Sequence, residues 1–526
     1  MLRSRPARAI VLLALGLAAA QVNAGLSEAE QAGRRLFEQG IGASGESPQA
    51  QVGGGGLTLP ASTLPCANCH GPDGRGRPEG GVTPPDIRWS ELVKPYGHVH
   101  ENRRRHGPFD AGSFRIAVTE GLDPAGNRLD PAMPRYLLSA RDLEHLQAYL
   151  AHLQARAAPG VTDDAVRIGT LLPLRGPLAA AGKSVRALLE AQFETVNAAG
   201  GVFGRRLELA VAEYLGDDAR SLANLERLLD DDHGVFALIS PFAAGFEQQL
   251  TDLAKAHQVP VVAPVVIERD KRPAANTHVF HLLSGGAELA SVLAGYCTDP
   301  LGLAGAEIGL LRPAGPAGDI ALAQVRHHLA AQGVEGTAEA VFRPGLSTPD
   351  AVVASLREQG VKAVVLLGGG LDPLAIAQAA DRLGWYPELL VPGPFASQGI
   401  MALPAGFASK VFVAYPSLPG DRSRPAWADF AGLMSRAGID GGPQPTLVAG
   451  YAGVKLLVEG LKRAGRELSQ ETMLTSLETV QDFQSGLLPP LSYNTTRRIG
   501  ALGGYVVSVD LERHVYRPIG AWRRLD

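Results

Sequence analysis

Cys66-Ala67-Asn68-Cys69-His70 is the stretch that most limits what this chain can become. Two thiols two residues apart, followed at once by an imidazole, make the attachment pattern of a c-type heme. The sulfurs become thioethers to the heme vinyl groups, and the imidazole is placed as the proximal iron ligand. A structural zinc site would need two more Cys or His ligands at suitable spacing, and no second pair stands nearby. A chance Cys-x-x-Cys is the bland alternative. The chain has only three cysteines, and two are spent here. The expected cofactor is therefore one covalent heme c on Cys66, Cys69 and His70.

The iron then needs a sixth ligand or an open face. Met133 stands in Asp130-Pro-Ala-Met-Pro-Arg-Tyr136, on a loop between prolines. Its thioether is expected to close the distal side, which favours electron transfer over oxygen chemistry. Core packing is the ordinary role of a lone Met. His98, His100 and His106 compete for the position but read as mostly solvent-facing, in a charged loop with Arg103-Arg-Arg105. That Arg run reads as a solvated loop, or else as a patch for an acidic redox partner.

Residues 1–24 read as a signal peptide. Arg3, Arg5 and Arg8 precede an apolar run at 9–20, too short to span a bilayer comfortably, and Val22-Asn23-Ala24 suits cleavage before Gly25. Export to the periplasm is expected, where the heme would be attached. No later run of about 18 apolar residues suggests membrane embedding. A net charge of −4 gives no basic excess for nucleic acid. Cys297, in an apolar helix-like run, is expected to be buried and inert.

Residues 25–156 carry further signals. Ser27 and Glu30 form a capping box for a helix at 28–38, with Leu36 and Phe37 turned to the heme. Residues 40–58 are polar and Gly-rich without periodicity, and read as a flexible surface insertion. Ser139 caps a last helix at 140–154 with an apolar stripe of Leu143, Leu146, Tyr149, Leu150 and Leu153. First helix, Cys-x-x-Cys-His-Gly, Met-Pro and the closing Leu-x-x-Tyr-Leu helix together resemble a class I cytochrome c, which implies a small all-α domain.

Pro159-Gly160 breaks the helix, and 157–164 reads as a linker. From Val166 onward short apolar strands alternate with helices, which implies an α/β architecture with parallel sheets. Ligands in such sheets sit at the carboxyl ends of strands, so the loops at 174–178, 240–245 and 264–267 point to one cleft. Ile168-Gly-Thr-Leu-Leu-Pro-Leu-Arg-Gly-Pro177, Val196-Asn-Ala-Ala-Gly-Gly-Val-Phe-Gly204 and Val259-Pro-Val-Val-Ala-Pro264 resemble periplasmic solute-binding proteins of the leucine/isoleucine/valine type. The resemblance covers 165–526. It implies two α/β lobes, 165–282 with 414–485 and 283–413 with 486–526, joined by crossovers near 280–284, 411–416 and 486–493. Second-lobe cleft loops would lie at 368–372 and 393–397.

Where amino-acid binders of that family place hydroxyls and an acidic residue, this chain has Ala243, Ala244, Val265, Val266 and Phe395, with Arg175 in the first loop. A buried zwitterion needs polar partners, so a free amino acid is not the expected ligand. The cleft reads as apolar and aromatic (Phe242, Ala244, Val266, Phe395, with Trp385 and Tyr415 near), and Arg175 is the candidate anchor for an organic carboxylate. No Gly-x-Ser-x-Gly or His-Glu-x-x-His occurs, and an enzyme is not expected. Three functions follow: an electron carrier coupled to solute binding, with a dehydrogenase or cytochrome as redox partner; the substrate-binding component of an ABC permease with a subsidiary heme; or a redox subunit whose α/β region docks a dehydrogenase.

Overall fold

The computed structural model describes residues 26–525 apart from 54–56, 77–81, 83, 101–102, 156–157, 217, 231–233, 267–275, 397 and 441–443. The expected signal peptide lies outside the described residues, as do Ile267 and Ser397 of the expected cleft loops. The chain divides into two compact units, Met1–Arg156 and Ala157–Asp526.

The first unit begins with α1 (Glu28–Gln39), capped by Ser27 with Glu30 completing the box, and stopped by Gly40 in the left-handed region. Strands β1 (Gln49–Val52) and β2 (Leu57–Pro60) follow, then α2 (Cys66–His70), α3 (Trp89–Leu92), β3 (His98–Val99), β4 (Arg105–His106), α4 (Ala111–Glu120), β5 (Arg135–Tyr136) and α5 (Ala140–Ala155). Helices α1 and α5 cross at Gly33. A Cβ there would lie 2.0 Å from the His145 carbonyl oxygen, and the Phe37 and Tyr149 rings meet 5.5 Å apart beside it. The unit is not the all-α domain expected above. Residues read as a formless insertion form the β1–β2 hairpin, and β5 adds a third strand to β1. Four-residue strands with Ala50 as the one buried side chain of β1 carry too short an alternation to register as a pattern.

The second unit has two lobes. The first opens with β6 (Ala165–Leu172), α6 (Ala179–Ala198), β7 (Arg206–Glu213), α7 (Asp218–Asp230), β8 (Ala237–Ile239), α8 (Glu247–Ala256), β9 (Val261–Val262) and β10 (Val279–Leu283). Of β6 only Arg167 is not buried, as expected of a parallel strand covered on both faces. The second lobe runs α9 (Gly286–Thr298), β11 (Ile308–Pro313), α10 (Pro316–Ala331), β12 (Ala338–Phe342), α11 (Pro349–Glu358), β13 (Ala363–Leu366), α12 (Pro373–Arg382), β14 (Glu388–Pro392) and β15 (Val411–Tyr415). The chain returns with α13 (Arg424–Arg436), α14 (Pro445–Ala464), α15 (Gln470–Glu478) and β16 (Ile499–Ala501), and ends in β17 (Gly503–Asp510) and β18 (Val515–Arg524).

The first sheet has the order β16-β10-β9-β8-β6-β7 and is parallel. The second runs β12-β11-β13-β14-β15-β17-β18, parallel as far as β15 and antiparallel beyond. Crossovers therefore fall at 284–285, 416–423 and 502. The second lies past β15, so the expected boundary at 413/414 cuts a strand. The third is not at 486–493. Leu487, Leu488, Leu491 and Tyr493 are buried in the first lobe's core, and the Tyr493 hydroxyl donates to the His281 carbonyl at 3.0 Å. The assigned linker is shorter too. Val161 is buried in that same core, and the Gly160 carbonyl accepts from Arg167 N–H at 2.7 Å. Cys297 is fully buried, as expected.

Candidate functional site

Helix α2 is a single turn between Pro65 and Gly71. It sets Cys66 and Cys69 three residues apart, hence on one face, and both thiols are free. Burial pushes the Cys66 thiol up to about 12, so it stands as a neutral thiol. His70 is 6% exposed. Its Nδ1 lies 2.9 Å from the Pro85 carbonyl oxygen, which only accepts, so Nδ1 carries the proton. Burial holds its pKa below the ordinary imidazole value. The ring is neutral, and its Nε2 has a free lone pair with no hydrogen bond among the described residues.

Met133 is half-buried on the turn before β5. Its N–H donates to the Asp130 carbonyl at 3.1 Å. The Arg135 guanidinium donates to the Met133 carbonyl and to those of Leu129 and Asp130 at 3.2 and 3.3 Å. Next along, the Tyr136 hydroxyl donates to the Leu64 carbonyl at 2.6 Å, tying the methionine turn to the approach of α2. Pro85, Arg135 and Tyr136 were not singled out from the sequence. Only the position of Arg-Tyr straight after Met-Pro pointed to the last two.

The three histidines read as solvent-facing are instead clustered. Pairing of β3 with β4 sets His98 opposite His106, and His106 is buried. Their rings and that of His100 lie 5.0–6.0 Å apart. Burial, with Arg104 close by, holds His100 down to about 4.

In the second unit, β6 and β7 end together at Leu172 and Glu213. Arg175, just beyond, is 84% exposed, and its Nε lies 3.1 Å from Glu213 Oε1, off line for a hydrogen bond. It is not a bare cation. Phe242 is half-buried, with its ring 4.9 Å from Tyr214 and its backbone bridged to Val265. Ala244 and Val266 are half-buried in the two neighbouring loops. Strand β9 stops at Val262, and Ala263 after it turns away at φ 56°.

In the second lobe, Phe395 follows the carboxyl end of β14, and a Cβ on Gly286 would meet its ring at 2.6 Å, one on Gly369 at 3.6 Å. Gly286 thus leaves the space that the ring fills, whereas a Cβ on Gly369 would only touch it. Tyr415 ends β15, its ring edge-on to Tyr516 at 5.8 Å. Trp385 does not belong here. It precedes β14, at the opposite end of the strand from Phe395. Arg175, Phe242, Ala244 and Val266 share the carboxyl ends of one sheet, Phe395 that of the other.

A family profile described as periplasmic binding protein matches residues 165–513. The chain belongs to the periplasmic binding protein family. The Leu/Ile/Val-binding protein homolog 1 of Brucella suis is 22% identical over 345 residues, 65% of this chain and 89% of that protein. Among solved structures, a fatty acid ABC transporter substrate-binding protein from Thermomonospora curvata is similar at TM-score 0.54 and 19% identity, over 70% of this chain and 95% of that one. A periplasmic binding protein type 1 from Bordetella pertussis is similar at TM-score 0.53 and 20% identity, over 68% and 100%. At these identities the likeness is one of fold. The family match lies within this periplasmic binding protein's second unit and does not reach residues 26–156. All three of these relatives are named as binding proteins. Among the described residues no helix is long and apolar enough to cross a membrane.

Proposed function

We propose that this chain is a periplasmic solute-binding protein that also carries electrons on one covalent heme c. The buried, neutral His70, with Nδ1 committed to Pro85 and Nε2 left over, carries the electron-transfer half of the reading. That arrangement fits the group: an axial imidazole has its second nitrogen bonded to a carbonyl, which fixes tautomer and ring orientation. Cys66 and Cys69 would hold the porphyrin, His70 the iron, and Met133 the sixth position. When bound, the heme supplies reversible one-electron chemistry at a potential raised by Met/His ligation. The protein's own part is to bury the imidazole and to brace the Met133 turn through Arg135. The redox partner in this reading is a periplasmic dehydrogenase or another cytochrome.

The solute proposed for the cleft is an apolar organic carboxylate, not a free amino acid. Phe242, Ala244, Val266 and Phe395 offer apolar surface but no side-chain partner for an ammonium group. Arg175 would meet the carboxylate by exchanging Glu213 for it. The likeness to a fatty acid transporter's binding protein is in keeping with that class. The same family supports a second reading, in which the unit serves an ABC permease and the heme is subsidiary.

Expression with heme-attachment machinery tests the first half. A covalent heme stain and a reduced spectrum insensitive to carbon monoxide are expected; absence of covalent heme from correctly exported protein overturns it. For the cleft, a thermal-shift series should pair aliphatic and aromatic carboxylates with their amides and with leucine. Stabilisation by the acids alone is expected. Stabilisation by leucine alone would restore the amino-acid reading.

A further inference from the structure

The β3–β4 pair holds a second cluster of nitrogen ligands, separate from Cys66–His70. A carbonyl oxygen only accepts, so His98 Nε2 must donate to the Glu91 carbonyl at 2.6 Å, and His106 Nδ1 to that of Gly107 at 2.7 Å. A guanidinium only donates, so His100 Nε2, 2.9 Å from Arg104 Nη2, must present a lone pair. With neutral rings, His98 Nδ1, His100 Nε2 and His106 Nε2 all present lone pairs, and among the described residues that of His100 takes a donor, Arg104. Two of these, His100 Nε2 and His106 Nε2, are only 2.9 Å apart. Two lone pairs at that distance repel unless a cation shares them.

Two imidazoles on one metal ion, with metal–nitrogen bonds of about 2.0–2.1 Å, hold their nitrogens about 3 Å apart. Backbone carbonyls on the opposite nitrogens of His98 and His106 supply the outer support that such ligands have. We propose that His100 and His106, with His98 as the adjoining third ring, bind a divalent transition-metal ion of the zinc or copper class. Imidazole clusters suit those ions, and the absence of carboxylate among the three rings disfavours calcium and magnesium. The ion would take the place of the Arg104 contact on His100. Arg104 keeps its own partner, because its Nη1 lies 2.6 Å from the buried carboxylate of Asp123. Glu226, Asp230 and His257 in the other unit bring three ligand atoms within 4.8 Å of one another, but both carboxylates are exposed, and this group serves as an internal comparison.

The test uses the full chain after chelator treatment, titrated calorimetrically with Zn2+ and examined by electron paramagnetic resonance with one equivalent of Cu2+. One tight equivalent of Zn2+ is expected, weakened at least tenfold in the double variant His100→Gln, His106→Gln and unchanged in His257→Gln. Nitrogen coupling from at least two imidazoles is expected in the Cu2+ spectrum of the unaltered protein. This readout does not depend on the variants folding. Oxygen-only coordination, absence of a tight equivalent, or binding lost only with His257→Gln would overturn the proposal.

Discussion

His70 shows how one hydrogen bond can assign a role to a ring. With Nδ1 committed to Pro85, the other nitrogen is the one available to a metal, and Met133 is the expected partner across it. In heme-loaded protein, Met133→Ala should open the sixth position, so that reduced protein binds carbon monoxide and its absorption changes. An unchanged spectrum would remove Met133 from the iron. A second residue governs acid stability. The Asp142 carboxylate accepts from the N–H of Ala43 at 2.7 Å and from Ser139 N–H and hydroxyl at 3.1 and 2.6 Å. Burial alone would raise its pKa, but these bonds together hold it below the ordinary value of 3.8. The unfolded chain therefore binds this proton more readily, and the stability it contributes is full above about pH 4 and lost as pH falls below that. Asp142→Asn should cost the first unit about 1–3 kcal/mol near pH 7. The gap from the unaltered protein should close in melts taken toward pH 3; a gap independent of pH would show that the charge is not what matters. The Ser27 cap was legible because it is a contiguous pattern, as is the Cys66–His70 motif on which the heme proposal rests. Pro85 was not, since it reaches His70 from 15 residues away. Nor was the histidine cluster, which exists only once two-residue strands pair.

Elements in this chain were legible in proportion to their burial. Strands β6, β8 and β13 are nearly continuous apolar runs because helices cover both faces, and β6 begins within one residue of Val166, where the sequence turns to strands. The β1–β2 hairpin, barely buried, left no such trace. The residues at 486–493 misled for the opposite reason: they are apolar because a loop fills the first lobe's core, not because the chain crosses between lobes there. The α1–α5 crossing is a finer point that no pattern announces. It depends on Gly33, where a Cβ would also come within 2.8 Å of Tyr149 Cβ. Gly33→Val must therefore push the two helices apart. A loss of at least about 1–3 kcal/mol is expected for overpacking, read as a lower midpoint for the first unit in a denaturant melt followed by circular dichroism. A midpoint within error of the unaltered protein would mean that the helices do not cross at Gly33.

At the scale of the whole molecule, two units with separate cores should not unfold in a single cooperative transition. Calorimetry of the full chain should resolve two events, of which only the first changes with Gly33→Val. A ligand in the cleft binds the folded second unit alone, so it should raise only the second event. At a free concentration 100 times its dissociation constant, that stabilisation is about 2.7 kcal/mol. The same logic separates cleft from surface binding. Phe395 fills space left by Gly286 at the start of α9, next to the first crossover, whereas Arg175 stands at the edge of the other sheet beside Glu213. A carboxylate gripped by both lobes needs both residues, so Phe395→Ala and Arg175→Gln should each weaken it about tenfold or more. Closure about the three crossovers should also reduce the radius of gyration by X-ray scattering in the presence of the acid. A carboxylate that raises the second transition equally well in both variants, without compaction, would be bound elsewhere, and the cleft would then be better understood as a docking surface than as a solute site.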